Sequence, residues 1–64
     1  MANIADNVRK ARKKAGLSQD KLAREADVAY NTVVKIESGE NKNPTIETLR
    51  NIAKALNTTI DKLV

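Results

Sequence analysis

Between Tyr30 and Lys35 the chain sets out side chains with complementary hydrogen-bonding and apolar surfaces. In a helix, at about 100° per residue, Val33 and Ile36 turn one way and Asn31, Val34 and Lys35 turn the other, with Tyr30 and Thr32 flanking. An asparagine amide places a donor beside an acceptor, which suits a two-point bond to adenine. A lysine ammonium suits the acceptors of guanine, and an aliphatic group can touch a thymine methyl. Tyr30 adds a phenol able to bond a phosphate or pack on a base methyl. Asn and Lys also occupy ordinary solvated helix faces, so these residues alone favour the bland explanation. That explanation accounts least well for Val34, and the segments around the group decide between the two.

Residues 17–39 read as two short helices joined by a tight polar turn. Ser18 is the expected N-cap of the first, with Asp20 in its first turn where the helix dipole favours negative charge. Leu22, Ala23 and Ala26 form its buried stripe, and Asp27 is the turn. Val28 leads into the second, whose inner face is Val33 and Ile36 and whose stop is Gly39. Such a unit presents a short helix outward from a rigid support, and a helix of that size fits the major groove of DNA.

The flanking segments supply the support. Asn3 caps a first helix, with Asp6 three residues on in a capping-box-like arrangement. Ile4, Val8, Ala11 and Ala15 recur at helical spacing up to a left-handed stop at Gly16. A polar loop, residues 39–44, precedes Thr45 as cap of a fourth helix carrying Ile46, Leu49, Ile52, Ala53 and Leu56 on one face and ending at Asn57. Thr58 and Asp61 suggest another capping box, opening a fifth short helix with Ile60 and Leu63 inward. The expected architecture is all-α, a compact five-helix bundle in one domain, residues 1–64, with helices near 4–15, 19–26, 30–38, 46–56 and 59–63. The pattern stops inside the fifth helix, as it would in a fragment of a longer regulator.

Composition narrows the functional classes. Twelve Lys and Arg against eight Asp and Glu give a net charge of +4 and an isoelectric point near 9.7, which favours a polyanionic partner. With no Cys, no His and a single aromatic among 64 residues, no disulfide, thiolate metal site or histidine-based triad can be built. There is no Gly-rich phosphate loop or clustered ligand set, and Ser18 and Ser38 have capping or surface roles, so no catalytic residue, metal, cofactor or small-molecule substrate is expected. No apolar run approaches the roughly 18 residues of a membrane span. The expected setting is the cytoplasm, at the nucleoid when bound.

Gln19, Leu22, Ala23, Val28, Val33, Ile36, Glu37 and Gly39, followed by Pro44-Thr45-Ile46-Glu47-Thr48-Leu49 and Ile52-Ala53-Lys54-Ala55-Leu56, resemble the phage repressor and Cro-like family of DNA-binding domains. The likeness covers nearly the whole chain, and two separate motifs occur in order at the right separation. It implies a lambda-repressor-like fold with a central helix-turn-helix. Three positions depart from the family pattern. Asp27 stands where glycine is usual, though Asp tolerates the left-handed conformation better than most residues. Ala29 replaces the usual Ser or Thr cap, a loss of about 1 kcal/mol. Val34 sits where a polar residue is common.

Beside this resemblance, which itself implies the role of Gln19 and the Arg12–Glu37 pair, the residues take the following expected roles. Tyr30, Asn31, Val34 and Lys35 would contact bases. Gln19 would touch the DNA backbone from a helix N-terminus and brace the recognition helix. Thr32, Asn41, Lys42 and Asn43 would add backbone contacts, and Arg9 would approach the backbone from the basic first helix, where Lys10, Lys13 and Lys14 are a solvated face. Arg12 lies at the edge of the first helix's apolar stripe and Glu37 borders the inner face of the third. The family commonly pairs an arginine with a glutamate here, so an Arg12–Glu37 ion pair is expected. The function implied is sequence-specific binding of double-stranded DNA by a transcriptional repressor or regulator. It would act as a weak dimer that pairs on DNA, through the loop before the fourth helix and the corner at Asn57, Thr58 and Thr59. The alternative is a protein-interaction module of antitoxin or coactivator type on the same fold, for which Val34 is the one supporting feature.

Overall fold

A computed structural model describes residues 3–64. Four α-helices follow one another: α1 Ile4–Lys14, α2 Gln19–Ala26, α3 Tyr30–Ser38 and α4 Ile46–Ala55. A single 3-10 turn, Ile60–Lys62, closes the chain, and there is no strand among the described residues.

Three helices start on a side chain that satisfies an otherwise orphaned amide. Asn3 Oδ1 accepts from the Asp6 N–H at 2.9 Å, Ser18 Oγ from the Lys21 N–H at 3.0 Å, and Thr45 Oγ1 from the Thr48 N–H at 3.1 Å. The Asp6 carboxylate turns to Arg9, so the first of these caps rests on the Asn3 side chain.

Three helices also stop in the same way. Gly16, Asp27 and Asn57 take positive φ of 74°, 57° and 56°. The next residue's N–H then reaches back five positions: Leu17 to Arg12 O at 3.1 Å, Val28 to Ala23 O at 3.0 Å, Thr58 to Ala53 O at 2.9 Å. This is the Schellman arrangement, in which the following apolar residue folds back onto the helix. Leu17 and Val28 do so, packing half-buried against the core.

The helices pack with α2 between α3 and α4, α1 against α3, and the terminal turn on α4. Val8, Leu22, Val33, Ile36, Ile52 and Leu63 are fully buried, so every helix and the terminal turn contribute to one core. Each such side chain gains about 1.5–3 kcal/mol from leaving water. Asn7 Nδ2 donates to the Leu63 carbonyl at 3.1 Å, tying α1 to the end of the chain.

Three expectations need correction. The fifth helix is only the three-residue 3-10 turn. Its cap position is Thr59, with no side-chain hydrogen bond, because the Thr58 backbone is engaged in closing α4. Ala15 is exposed, although it keeps helical backbone geometry and its N–H still bonds the Ala11 carbonyl at 3.0 Å; it stands at the very end of α1, past the residues that pack on the core. Ile46 is 60% exposed despite sharing the helical register of Leu49. It is the first residue of α4, and helical side chains lean toward the N-terminus, which carries this one past the edge of the core.

Candidate nucleic-acid interface

The left-handed turn at Asp27 lets α3 leave α2 after three residues. Because α3 rests on both α1 and α2 through Val33 and Ile36, its opposite side is left to solvent. Tyr30 is 50% exposed, and Asn31 and Lys35 are exposed beside it. Thr32 and Val34 are half-buried along the margins. Val34 is therefore less a stray surface valine than a boundary residue, which weakens the feature that favoured a protein-interaction module.

The two ends of α3 are held very differently. At its start Ala29 occupies the cap position with no side-chain bond, and the backbone bonds there run from Thr32 N at 3.0 Å and Val33 N at 3.4 Å to the Ala29 carbonyl. Near its end Glu37 is 4% exposed and gathers donors from two other helices. Arg12 donates through Nε to Oε2 at 2.7 Å and through Nη2 to Oε1 at 3.1 Å. Gln19 Nε2 donates to Oε1 at 3.2 Å. Arg12 Nη1 also donates to the Leu17 carbonyl at 2.8 Å, holding the α1–α2 link in the same network. The planar guanidinium is suited to this fork-like grip on a carboxylate. No buried side-chain nitrogen or oxygen among the described residues lacks a partner, so the charge buried at Glu37 is fully compensated.

Sequence reasoning anticipated contact between Arg12 and Glu37 and a brace from Gln19 to the recognition helix, but not that Glu37 is the point where both meet, nor the Arg9 bond. Gln19 is half-buried, with its amide nitrogen turned inward to Glu37. Arg9 does not extend freely from α1. Its Nη1 donates to the Glu37 main-chain carbonyl at 3.0 Å, and its Nη2 pairs with the Asp6 carboxylate one turn back.

The loop after α3 is also tied to it. The Asn41 N–H reaches the Lys35 carbonyl at 3.0 Å, and Asn41 Oδ1 accepts from the Asn43 N–H at 3.1 Å, an Asx turn. Asn41 is thus half-buried and shapes the loop, while Lys42 and Asn43 stand exposed on it. Among the described residues there is no cluster of potential metal ligands, and no helix is long and apolar enough to cross a membrane.

An exposed polar ridge, on the second of two helices joined by a tight left-handed turn and braced from beneath, defines a helix-turn-helix module. The Helix-turn-helix family model matches residues 8–63, and the chain belongs to this family of DNA-binding domains, the XRE type that includes Cro- and repressor-like proteins. Transcription regulation is the family's usual role. No curated protein matches the chain.

Proposed function

We propose that this protein is a sequence-specific transcriptional regulator, acting as a repressor, that lays α3 in the major groove of double-stranded DNA. Tyr30, Asn31, Val34 and Lys35 read base edges and methyl groups. Thr32, Lys42 and Asn43, with the main-chain N–H groups at the start of α2 beside Gln19, meet phosphates, and Asn41 holds the loop that carries two of them. Phosphate contacts give affinity and a steep dependence on salt, whereas the α3 ridge supplies sequence preference. The observation that carries this reading is the pairing of an exposed ridge at Tyr30, Asn31 and Lys35 with a charge-clamped support at Glu37.

A module this small binds a half-site weakly, so the active form is a dimer on two half-sites about one helical turn apart. The contact uses the loop before α4 and the corner at Asn57, Thr58 and Thr59. Ile46, exposed directly after that loop, supplies apolar surface for it.

Selection of bound duplexes from a random pool tests the reading directly. A recovered motif with two-fold symmetry, bound with an affinity that falls steeply between two salt concentrations, is the expected outcome. Failure to enrich any duplex at low salt rejects it in favour of a protein partner.

A further inference from the structure

We infer that Arg9 is a positioning residue for the recognition helix, setting the seat of α3 through the Glu37 carbonyl rather than neutralising a phosphate. The inference rests on the DNA-reading role proposed for α3.

Three observations carry it. First, α1 grips one residue of α3 twice. Arg12 holds the Glu37 carboxylate, and Arg9, one turn earlier, holds the carbonyl of the same residue at 3.0 Å. A side-chain contact alone lets a helix pivot about the side chain's torsions, whereas a second bond to the main chain removes that freedom. Second, the carbonyl lies in the last turn of α3, where helical acceptors have no intrahelical donor. Its bonding there is an obligation that some group must meet, and a cation at a helix C-terminus is favoured by the dipole as well. Third, the guanidinium is already engaged at both terminal nitrogens. Asp6 pairs with it from the previous turn of α1, so an arriving phosphate would meet a cation that already has an acidic neighbour and a main-chain acceptor. The main chain of Asp6 is held in turn, because its N–H is bonded to the Asn3 cap. The result is a relay from the start of α1 to the end of α3: Asn3, Asp6, Arg9, Glu37 carbonyl.

The consequence is a separation of two quantities. A phosphate-binding arginine raises affinity for all duplexes alike. A positioning arginine leaves general affinity untouched and sharpens discrimination, because a small rotation of α3 misplaces Asn31 and Lys35 relative to base edges.

The test compares wild type with Arg9→Met, which keeps the aliphatic stem, Arg9→Lys, which keeps one donor, and Asp6→Asn. Each is titrated with the best duplex from the random pool and with an unrelated duplex of equal length, at two salt concentrations. The Glu37 carbonyl carbon and Ser38 amide resonances are recorded without DNA. Arg9→Met should lower the ratio of selected to unrelated binding by about tenfold, the scale of one good base contact, with the salt slope unchanged. It should shift the Glu37 carbonyl resonance, while the Arg12 Nε–H resonance stays in place. Arg9→Lys should restore part of the ratio, and Asp6→Asn should lower it in the same sense. A uniform loss on both duplexes with the salt slope reduced by about one unit would make Arg9 a phosphate ligand and overturn the inference. An unmoved Glu37 carbonyl in Arg9→Met would overturn it without reference to DNA. Wild-type protein that binds neither duplex rejects the DNA reading itself, an outcome distinct from either.

Discussion

The first and last turns of α3 are built on opposite principles. The last turn is anchored: a buried carboxylate and its own carbonyl are held by two arginines and a glutamine from two neighbouring helices. The first turn carries Tyr30 and Asn31 into solvent from an uncapped alanine. Rigidity is concentrated at the end away from the leading base-reading residues, and the reading end is left lightly tied. Rotamer adjustments of Tyr30 and Asn31 therefore leave the buried network intact, while that network sets the seat of the helix that carries them, and it does not have to be exposed for the ridge to be used.

The contrast can be broken most forcefully at Glu37. Replacing it with alanine strands the Arg12 guanidinium in a largely buried site and should cost about 3–5 kcal/mol. That is a large share of the roughly 5–15 kcal/mol typical of a folded domain. Thermal unfolding would register it as a steep fall in Tm, and the companion variant Arg12→Met with Glu37→Leu should recover most of the loss, since an apolar pair leaves no charge unpaired. If the single variant melted like wild type, the anchored end would not be anchored.

At the opposite end, Asn31→Ala should leave the melting temperature almost unchanged and cost about 1–3 kcal/mol of binding on the selected duplex alone. Titration against base variants of that duplex would show which position loses its preference. Equal loss on every sequence would remove Asn31 from the reading face.

A smaller effect sharpens the contrast by supplying what the first turn lacks. Ala29→Ser should add about 1 kcal/mol by capping an orphaned amide, or roughly 4–8 °C in Tm for a domain of this size. Should discrimination between duplexes fall at the same time, the loose start of α3 contributes to reading. Unchanged discrimination would mean that the missing cap is only a tolerated defect.

Smallest of all, Lys42→Ala should lower the salt slope by about one unit with no change in sequence preference. An unaltered slope would leave the loop after α3 with no part in phosphate binding.

Much of this arrangement could be read from the residues. Asn3, Ser18 and Thr45 declared their helix starts because short polar side chains cap amides three positions on, and Gly16, Asp27, Gly39 and Asn57 declared the stops because few other residues accept positive φ. The pairing of Arg12 with Glu37 was approachable because both lie at the edge of an apolar stripe and the family resemblance joins them. The Arg9 bond was not approachable in this way. Its acceptor is a main-chain carbonyl, a group nearly every residue possesses, so no side-chain pattern points to it. The inward turn of the Gln19 amide was hidden for a related reason, since an amide at a helix start suits solvent, phosphate or a neighbouring carboxylate equally well. Ile46 misled because periodicity says which way a residue points but not where the core runs out. The Thr58–Asp61 spacing misled because the backbone that would open a new helix was already needed to finish α4.

The position of Tyr30 carries one more consequence. It is the sole aromatic side chain in the protein, and it stands half in water on the outer ridge rather than in the core. The molecule's one aromatic chromophore in the near ultraviolet is therefore nearly blind to the loss of the interior, yet it sits where a docking surface would arrive. Its emission is a natural gauge of occupancy, and melting is better followed through the helical backbone.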